Sequence, residues 1–128
     1  MIKAYLVGIP TLYEGESIEV RYSIFDGEEL VNKKSILLGY KKPAVVGHVA
    51  MMELLKELEK YKNREILVII NDGALYETIN GTCGTKNKDV IKAASNTRTE
   101  LRKFADIDIK NISGIYEEIV AWDEILRN

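Results

Sequence analysis

The sequence is poor in cysteine and lacks long apolar runs. Cys83 is the single cysteine among 128 residues, so no disulfide can form within the chain, which is typical of a reducing compartment. No apolar run approaches the roughly 20 residues that cross a bilayer, and the N-terminus has the pattern of a strand rather than a signal peptide. We therefore expect a cytoplasmic protein that does not bind to a membrane.

The sequence also lacks an excess of either charge. There are 18 basic and 20 acidic residues, for a formal net charge of -2. This balance excludes a strong overall attraction to nucleic acid, although it is compatible with a local basic face. Hydrophobic residues make up 46% of the chain and charged residues 30%, which is typical of a globular protein. Since repeats and linkers are also missing, we expect a single domain over residues 1–128.

The first third of the chain has strand patterns. Ile2–Ile9 is apolar on both faces, as expected of a central strand covered on each side. Ser17–Phe25 alternates between apolar and polar residues, and Asp26-Gly27 favours a tight hairpin. Leu30–Tyr40 would be the returning strand. These patterns predict a three-stranded antiparallel meander.

The rest of the chain alternates helical and strand patterns. A long helix is predicted after Pro43, to about Tyr61, because apolar residues recur at helical spacing. Glu65–Ile70 is a β-branched run that is typical of a buried parallel strand. The later predicted elements are a short helix at Ala74–Ile79, a helix capped by Asn87, a strand at Ile107–Ile112 and a closing helix at Tyr116–Arg127.

This order of elements resembles that of the ribonuclease H superfamily over nearly the whole chain. Residues 66–73, ILVIINDG, resemble the family's fourth strand, which ends in a metal-binding Asp before a short helix. Residues 112–114, ISG, followed by residues 121–126, AWDEIL, resemble its fifth strand and closing helix. The resemblance implies a ribonuclease H-like α/β fold. Its five-stranded mixed sheet would have Ile2–Ile9 at the centre and Glu65–Ile70 parallel to that strand.

The resemblance also implies a metal-dependent site. Enzymes of this family hold two divalent ions, which stabilise the attacking and leaving oxygens at phosphorus. Mg²⁺ takes oxygen ligands, and the family pattern supplies four carboxylates. Asp72 and Asp123 match two of them, as catalytic and metal-binding residues. If they share one ion or water, their side chains should lie within roughly 4 to 8 Å of each other.

The other two carboxylate positions have no acid. The first strand has Val7 or Gly8 where the family has an Asp, and the long helix has His48, Ala50 or Met51 where it has a Glu. Two carboxylates would bind a single Mg²⁺ weakly at most, because hydrated Mg²⁺ gives up its water reluctantly. The sequence therefore does not support a mechanism with two ions.

Each of the two matching acids also has a structural explanation. Asn71-Asp72-Gly73 could be a turn in which Asp72 caps the short helix. Asp123 could form a surface ion pair with Arg127, four residues later on the closing helix. Both interpretations stand beside metal binding.

Three further residues could replace a missing ligand. His48, the one histidine, could be a general base or a metal ligand, but a structural histidine at a helix start is the favoured interpretation. Glu14 and Glu16 lie in a predicted loop, and nothing in the sequence directs them toward the other acids. We interpret the segment around Cys83, residues 81–86, as a turn and not as a phosphate-binding loop.

Three classes of function follow. The favoured one is a ribonuclease H-like domain with an incomplete carboxylate site, which binds nucleic acid or a protein partner without efficient catalysis. The alternative is an active metal-dependent nuclease acting on RNA–DNA hybrid or structured RNA. A nucleotide-binding α/β protein is more distant, because the antiparallel meander argues against a doubly wound sheet. Basic residues on the second long helix could contact nucleic acid or form a solvated face: Lys86, Lys88, Lys92, Arg98, Arg102 and Lys103.

Overall fold

The computed structural model describes residues 1–82 and 84–127, so the predicted turn at Cys83 lies outside the described residues. Its five strands form one sheet in the order β3-β2-β1-β4-β5. The strands are β1 (Ile2–Ile9), β2 (Ile18–Asp26), β3 (Glu29–Leu38), β4 (Glu65–Ile70) and β5 (Asp106–Asn111). β1 and β2 pair antiparallel, as do β2 and β3, whereas β4 runs parallel to β1 and β5 parallel to β4. The predicted mixed sheet with a central first strand is confirmed.

Four helices connect and cover these strands. They are α1 (Pro43–Leu58), α2 (Gly73–Asn80), α3 (Lys88–Leu101) and α4 (Tyr116–Leu126). The long predicted helix ends at Leu58 and continues as a 3-10 turn over Glu59–Tyr61, a common way for the last turn of a helix to tighten. Asn87 caps α3 as predicted, because its side chain accepts from the backbone N–H groups of Asp89 and Val90.

The main core lies between one face of the sheet and α1. Alternate residues of β1, β2 and β4 point into it, and Met51, Leu54 and Leu58 of α1 are fully buried against them. A smaller apolar cluster on the opposite face is formed by Ile69, Ile112, Trp122 and Leu126. The sheet is therefore covered on both faces near β1 and β4, which explains their continuous apolar sequences.

This topology brings several chain segments to one edge of the sheet. β1, β4 and β5 are mutually parallel, so their carboxyl ends meet at the same edge. The segments that follow β4 and β5 lead there into α2 and α4. In the described part of the chain, no helix has both the length and the apolar character needed to cross a membrane.

Candidate functional site

Asp72 lies at the carboxyl end of β4 and caps α2. Its Oδ1 accepts a hydrogen bond from the backbone N–H of Leu75 at 2.9 Å, which satisfies one of the free donors at the helix start. The predicted capping role is therefore confirmed. Within the described residues, Asp72 Oδ2 accepts no hydrogen bond and is not fully buried. This oxygen is free to bind a ligand.

Gly47 allows α1 to pass directly over this carboxylate. A Cβ atom at Gly47 would lie 2.9 Å from Asp72 Oδ2 and 3.3 Å from a methyl group of Leu75. Any larger residue would displace the carboxylate or the helix. The close approach of α1 thus depends on glycine at this position.

The positions without an acid line a small cavity beside Asp72. This cavity has a volume of about 40 Å³, and its walls include Val7 and Gly8 of β1 and Ala50 of α1. A Cβ atom at Gly8 would lie 3.0 Å from Val46 Cγ1 and 3.1 Å from Ala50 Cβ. β1 and α1 are in direct apolar contact here, where the resemblance requires two carboxylates.

Asp123 is placed on the exposed side of α4. Its Oδ2 accepts a hydrogen bond from Arg127 at 2.6 Å, and its side chain is 58% exposed. The predicted surface ion pair is confirmed. The residue of α4 that lines the small cavity is its neighbour Trp122, whose Nε1 donates to the carbonyl of Leu6 at 3.1 Å. A metal ion shared by Asp72 and Asp123 stays a prediction.

The donor set at this edge does not fit a pair of Mg²⁺ ions. Across residues 1–82 and 84–127, no three or more His, Cys, Asp or Glu side chains are grouped so that they could hold a metal. Glu14 and Glu16 are exposed, and Glu16 accepts from the Thr11 hydroxyl at 3.1 Å. Neither acid is among the described residues that line the cavities at Asp72.

His48 is buried and joins three helices. Its side chain belongs to α1, Nδ1 lies 2.9 Å from Thr97 Oγ1 on α3, and Nε2 lies 2.9 Å from Thr78 Oγ1 on α2. Only 3% of the residue is exposed. Burial lowers the pKa of the imidazole, and Arg98 lowers it further, whereas Asp72 raises it. The structural interpretation of His48 is supported, since both ring nitrogens are already engaged.

Two asparagines and a serine form a polar cluster that the sequence pattern did not reveal. Asn111 Oδ1 accepts from the backbone N–H groups of Asp72 and Ser113, both at 3.2 Å, and from Ser113 Oγ at 2.9 Å. Ser113 Oγ also lies 3.2 Å from Asn71 Oδ1. This cluster joins the carboxyl ends of β4 and β5, so it fixes the backbone at Asp72. Its residues come from the ends of two strands that are far apart in the sequence, so no local pattern predicts the cluster.

A larger cavity lies on the other side of Asp72, between α1, α2 and α3. Its volume is about 260 Å³. Small and apolar residues line most of it, and Asp72 is the charged residue in its wall. Pro43, at the start of α1, and Thr85, in the segment before α3, are also among the lining residues. Asp72 thus lines a space large enough for an organic ring system.

Exposed lysines adjoin two of the chain segments that line this cavity, at Pro43 and at Thr85. The lysine cluster consists of five exposed residues from the starts of α1 and α3: Lys41, Lys42, Lys86, Lys88 and Lys92. Lys42 pairs with Asp89 at 3.2 Å, in an exposed ion pair between the two helix starts. Among the described residues, the other four lysines have no ion-pair partner. They give this region a free positive charge.

Two further basic residues, near the end of α3 and just after it, are engaged by other groups. Arg98 Nη1 donates to the carbonyl of Thr78 at 2.9 Å, at the end of α2, where a cation is favoured by the helix dipole. Lys103 pairs with Glu100 at 2.9 Å. Arg98 and Lys103 are thus engaged by other groups, whereas Arg102, at the C-cap of α3, is exposed.

Comparison with known proteins supports the fold. Neither protein-family models nor curated protein sequences match this chain. Solved structures do match. Ribonuclease H1 from the halophilic archaeon Halobacterium salinarum NRC-1 has a TM-score of 0.78 and 17% identity, over 91% of this chain and 89% of that one.

Two further structures cover 98% of this chain. LC11 ribonuclease H1, solved in complex with an RNA/DNA hybrid, has a TM-score of 0.78 and 16% identity over 94% of its own length. The N-terminal ribonuclease H domain of a Mycobacterium tuberculosis protein has a TM-score of 0.76 and 12% identity over 89% of its chain. At these identities the comparison establishes a ribonuclease H-like fold, as the order of elements predicted.

Proposed function

We propose that this ribonuclease H-like chain binds nucleic acid, as RNA–DNA hybrid or structured RNA, and does not cleave it efficiently. One observation carries the proposal: Asp72 lines both the 260 Å³ cavity and the small cavity at Gly8 and Ala50, and four exposed lysines near the starts of α1 and α3 have no ion-pair partner among the described residues. The lysines favour phosphate binding, and the apolar contact disfavours a pair of metal ions.

The lysine cluster supplies the electrostatic part of binding. Phosphate contacts release counterions from nucleic acid, so they dominate affinity and make it fall with salt. The chain as a whole has a net charge of -2, and binding therefore depends on where its positive charge is concentrated. That a structural neighbour was solved with an RNA/DNA hybrid supports this choice of ligand.

The carboxylate count argues against efficient cleavage. Two Mg²⁺ ions bring four positive charges into a small site, and they require several anionic ligands before substrate phosphate arrives. Under this proposal, Asp72 and Asp123 are the ligands of any single Mg²⁺ ion that binds weakly. Asp123 Oδ2 already accepts from Arg127 at 2.6 Å, and this exposed ion pair would compete with an ion.

A fluorescence anisotropy titration with a labelled RNA–DNA hybrid tests binding. We expect the triple variant Lys41→Ala, Lys88→Ala, Lys92→Ala to bind at least ten-fold more weakly, with a salt slope lower by roughly two to three. A matched control removes Lys33, Lys34 and Lys62, which lie on β3 and after the 3-10 turn that follows α1, are exposed, and have no ion-pair partner among the described residues. Equal losses in the two triple variants would contradict a localised binding surface.

A cleavage assay on the same hybrid, in Mg²⁺ and in Mn²⁺, tests catalysis. We expect little or no product. Robust cleavage that Asp72→Asn abolishes would overturn the proposal in favour of an active metal-dependent nuclease. An absence of both binding and cleavage would leave a protein partner as the remaining role of the domain.

A further inference from the structure

We propose that the 260 Å³ cavity between α1, α2 and α3 binds a guanine base, with the attached phosphate held by the lysine cluster. The inference rests on the proposed function only for the phosphate contacts. The base contacts depend on the cavity itself and on Asp72. The guanine could belong to a free nucleotide or to an unpaired residue of RNA, and the two sources share the same chemistry.

The size and walls of the cavity suit a single planar ring system. Pockets that enclose a whole drug-sized ligand generally measure about 300 Å³ or more. This cavity, at about 260 Å³, is slightly smaller. It can therefore hold a base, while the sugar and phosphate stay outside. Pro43, Ala44, Gly47 and Ala74 line it with short side chains. Such walls allow close contact with the faces of a flat ring. Burial of the ring against apolar side chains is favoured by the hydrophobic effect.

The Asp72 carboxylate selects among the bases. Its Oδ2 has no hydrogen bond in the described part of the chain, and its Oδ1 can accept a second one beside that from Leu75. Guanine presents two adjacent N–H donors, at N1 and at the exocyclic N2, which match two carboxylate oxygens. Adenine presents an acceptor beside its amino group, and hypoxanthine lacks the N2 amine. Enzymes that hold unstacked bases read the same edge by hydrogen bonds.

The surroundings of Asp72 favour a neutral base over a cation. Four exposed lysines without an ion-pair partner among the described residues lie near the helix starts that line the cavity, and their charge disfavours a free amine or a metal ion relative to a neutral ligand. A nucleotide brings a neutral donor edge to the carboxylate and an anionic phosphate to the lysines. Lys42 is partly neutralised by Asp89 at 3.2 Å, which leaves Lys41, Lys86 and Lys88 as the principal phosphate contacts.

Titrations of the full chain with GMP, IMP and AMP, followed by NMR, test the base contacts. The methyl resonances of Ala44, Ala74 and Val90 report on the cavity walls. We expect GMP to shift them and to bind about ten-fold or more tightly than IMP or AMP, because each of these lacks one charge-assisted hydrogen bond. Equal affinities for the three nucleotides would overturn the inference, since they would show phosphate binding alone.

Two variants assign the ligand to the cavity. Asp72→Asn keeps a good helix cap but replaces one acceptor with a donor, so we expect a loss of ten-fold or more for GMP. Ala74→Leu fills the cavity from an exposed position, so the fold should be retained while GMP binding is lost. Far-UV circular dichroism and the unshifted resonances verify folding. GMP affinity that is unchanged in both variants would contradict the inference.

A further arm distinguishes the two sources of guanine. A 12-nucleotide single-stranded oligouridine with one central guanosine is compared with the all-uridine strand. Cavity methyl shifts with the guanosine strand but not with GMP would assign the site to RNA, whereas shifts with GMP would show that a free nucleotide suffices. No cavity shifts with either ligand would overturn the inference. If affinity for the RNA–DNA hybrid falls in the lysine triple variant but not in Ala74→Leu, the proposed nucleic-acid binding stands, and it does not depend on a guanine in the cavity.

Discussion

His48 Nδ1 lies 2.9 Å from Thr97 Oγ1, in the buried interior between α1 and α3. Thr97 Oγ1 also lies 3.0 Å from the carbonyl of Ala93, and Thr78 Oγ1, the partner of Nε2, lies 3.0 Å from that of Leu75. A neutral imidazole has one donor and one acceptor nitrogen. One threonine therefore donates to the ring and the other donates to its own helix, so a single ring links three helices.

We expect the link between His48 and Thr97 to contribute to stability. His48→Ala should lower the free energy of unfolding by about 2 to 4 kcal/mol, because it removes two hydrogen bonds and leaves a cavity. Urea denaturation of His48→Ala, Thr97→Val and the double variant measures the coupling, which should be about 1 kcal/mol. Strictly additive losses would show that the contact contributes nothing.

The pKa of His48 predicts how stability depends on pH. Burial, with Arg98, lowers the folded-state pKa below the ordinary value of 6.5, although Asp72 opposes the shift. Between the two pKa values the unfolded chain binds more protons, so stability is full above about pH 6.5 and falls as pH decreases through this window. Urea denaturation from about pH 5 to 7.5 measures the slope, which should vanish in His48→Gln. An equal slope in that variant would assign it to other groups.

The cap at Asp72 predicts a difference between two substitutions. Asp72→Ala removes the acceptor for the Leu75 N–H and should cost about 1 kcal/mol, whereas Asp72→Asn keeps an acceptor and should cost only a few tenths. Thermal unfolding of the two variants checks this. A large loss in both would mean that the negative charge itself stabilises the fold, for example through the dipole at the start of α2.

Much of the fold was predictable because its signals are local. The alternation of Ile18–Asp26 and the β-branched run Glu65–Ile70 each specify a strand and its burial. Once β4 is parallel to β1, Asp72 must lie at the edge where ligands commonly bind. Its capping role was also predictable, because the hydrogen bond joins residues only three positions apart in the sequence.

The rest of the site depends on contacts between distant segments. Lys42 and Asp89 are separated by 47 positions, so the lysine cluster could not be assembled from a helix pattern alone. The packing of Gly47 against Asp72 likewise depends on how closely α1 approaches the sheet. Asn111 accepts from the Asp72 N–H only because β4 and β5 are neighbours.

Trp122 should stabilise the central strand through its indole N–H. Nε1 donates to the Leu6 carbonyl at 3.1 Å in a buried position. Trp122→Phe removes this donor and leaves the carbonyl without that partner, so we expect a loss of about 1 to 3 kcal/mol. Urea denaturation measures the loss. Val120→Ala, at an exposed position of the same helix, is the control and should change stability by less than about 0.5 kcal/mol.

The last prediction concerns the two positions without an acid. The double variant Gly8→Asp, Ala50→Glu restores carboxylates, but we expect it to lose stability and not to gain cleavage of an RNA–DNA hybrid. A Cβ at Gly8 would already lie 3.0 Å from Val46 Cγ1, and Ala50 is fully buried. Overpacking costs about 1 to 3 kcal/mol, and burying an unpaired charge costs several more.

Uncharged variants separate these two costs. Gly8→Ala and Ala50→Met add side-chain atoms at the same positions without a charge, so they should show the packing penalty alone. Urea denaturation is measured with and without Mg²⁺, beside the cleavage assay. If the acidic double variant were folded, stabilised by Mg²⁺ and active, the contact between β1 and α1 would be able to open. The missing carboxylates would then be the sole barrier to catalysis, because the rest of the edge around Asp72 would already be competent.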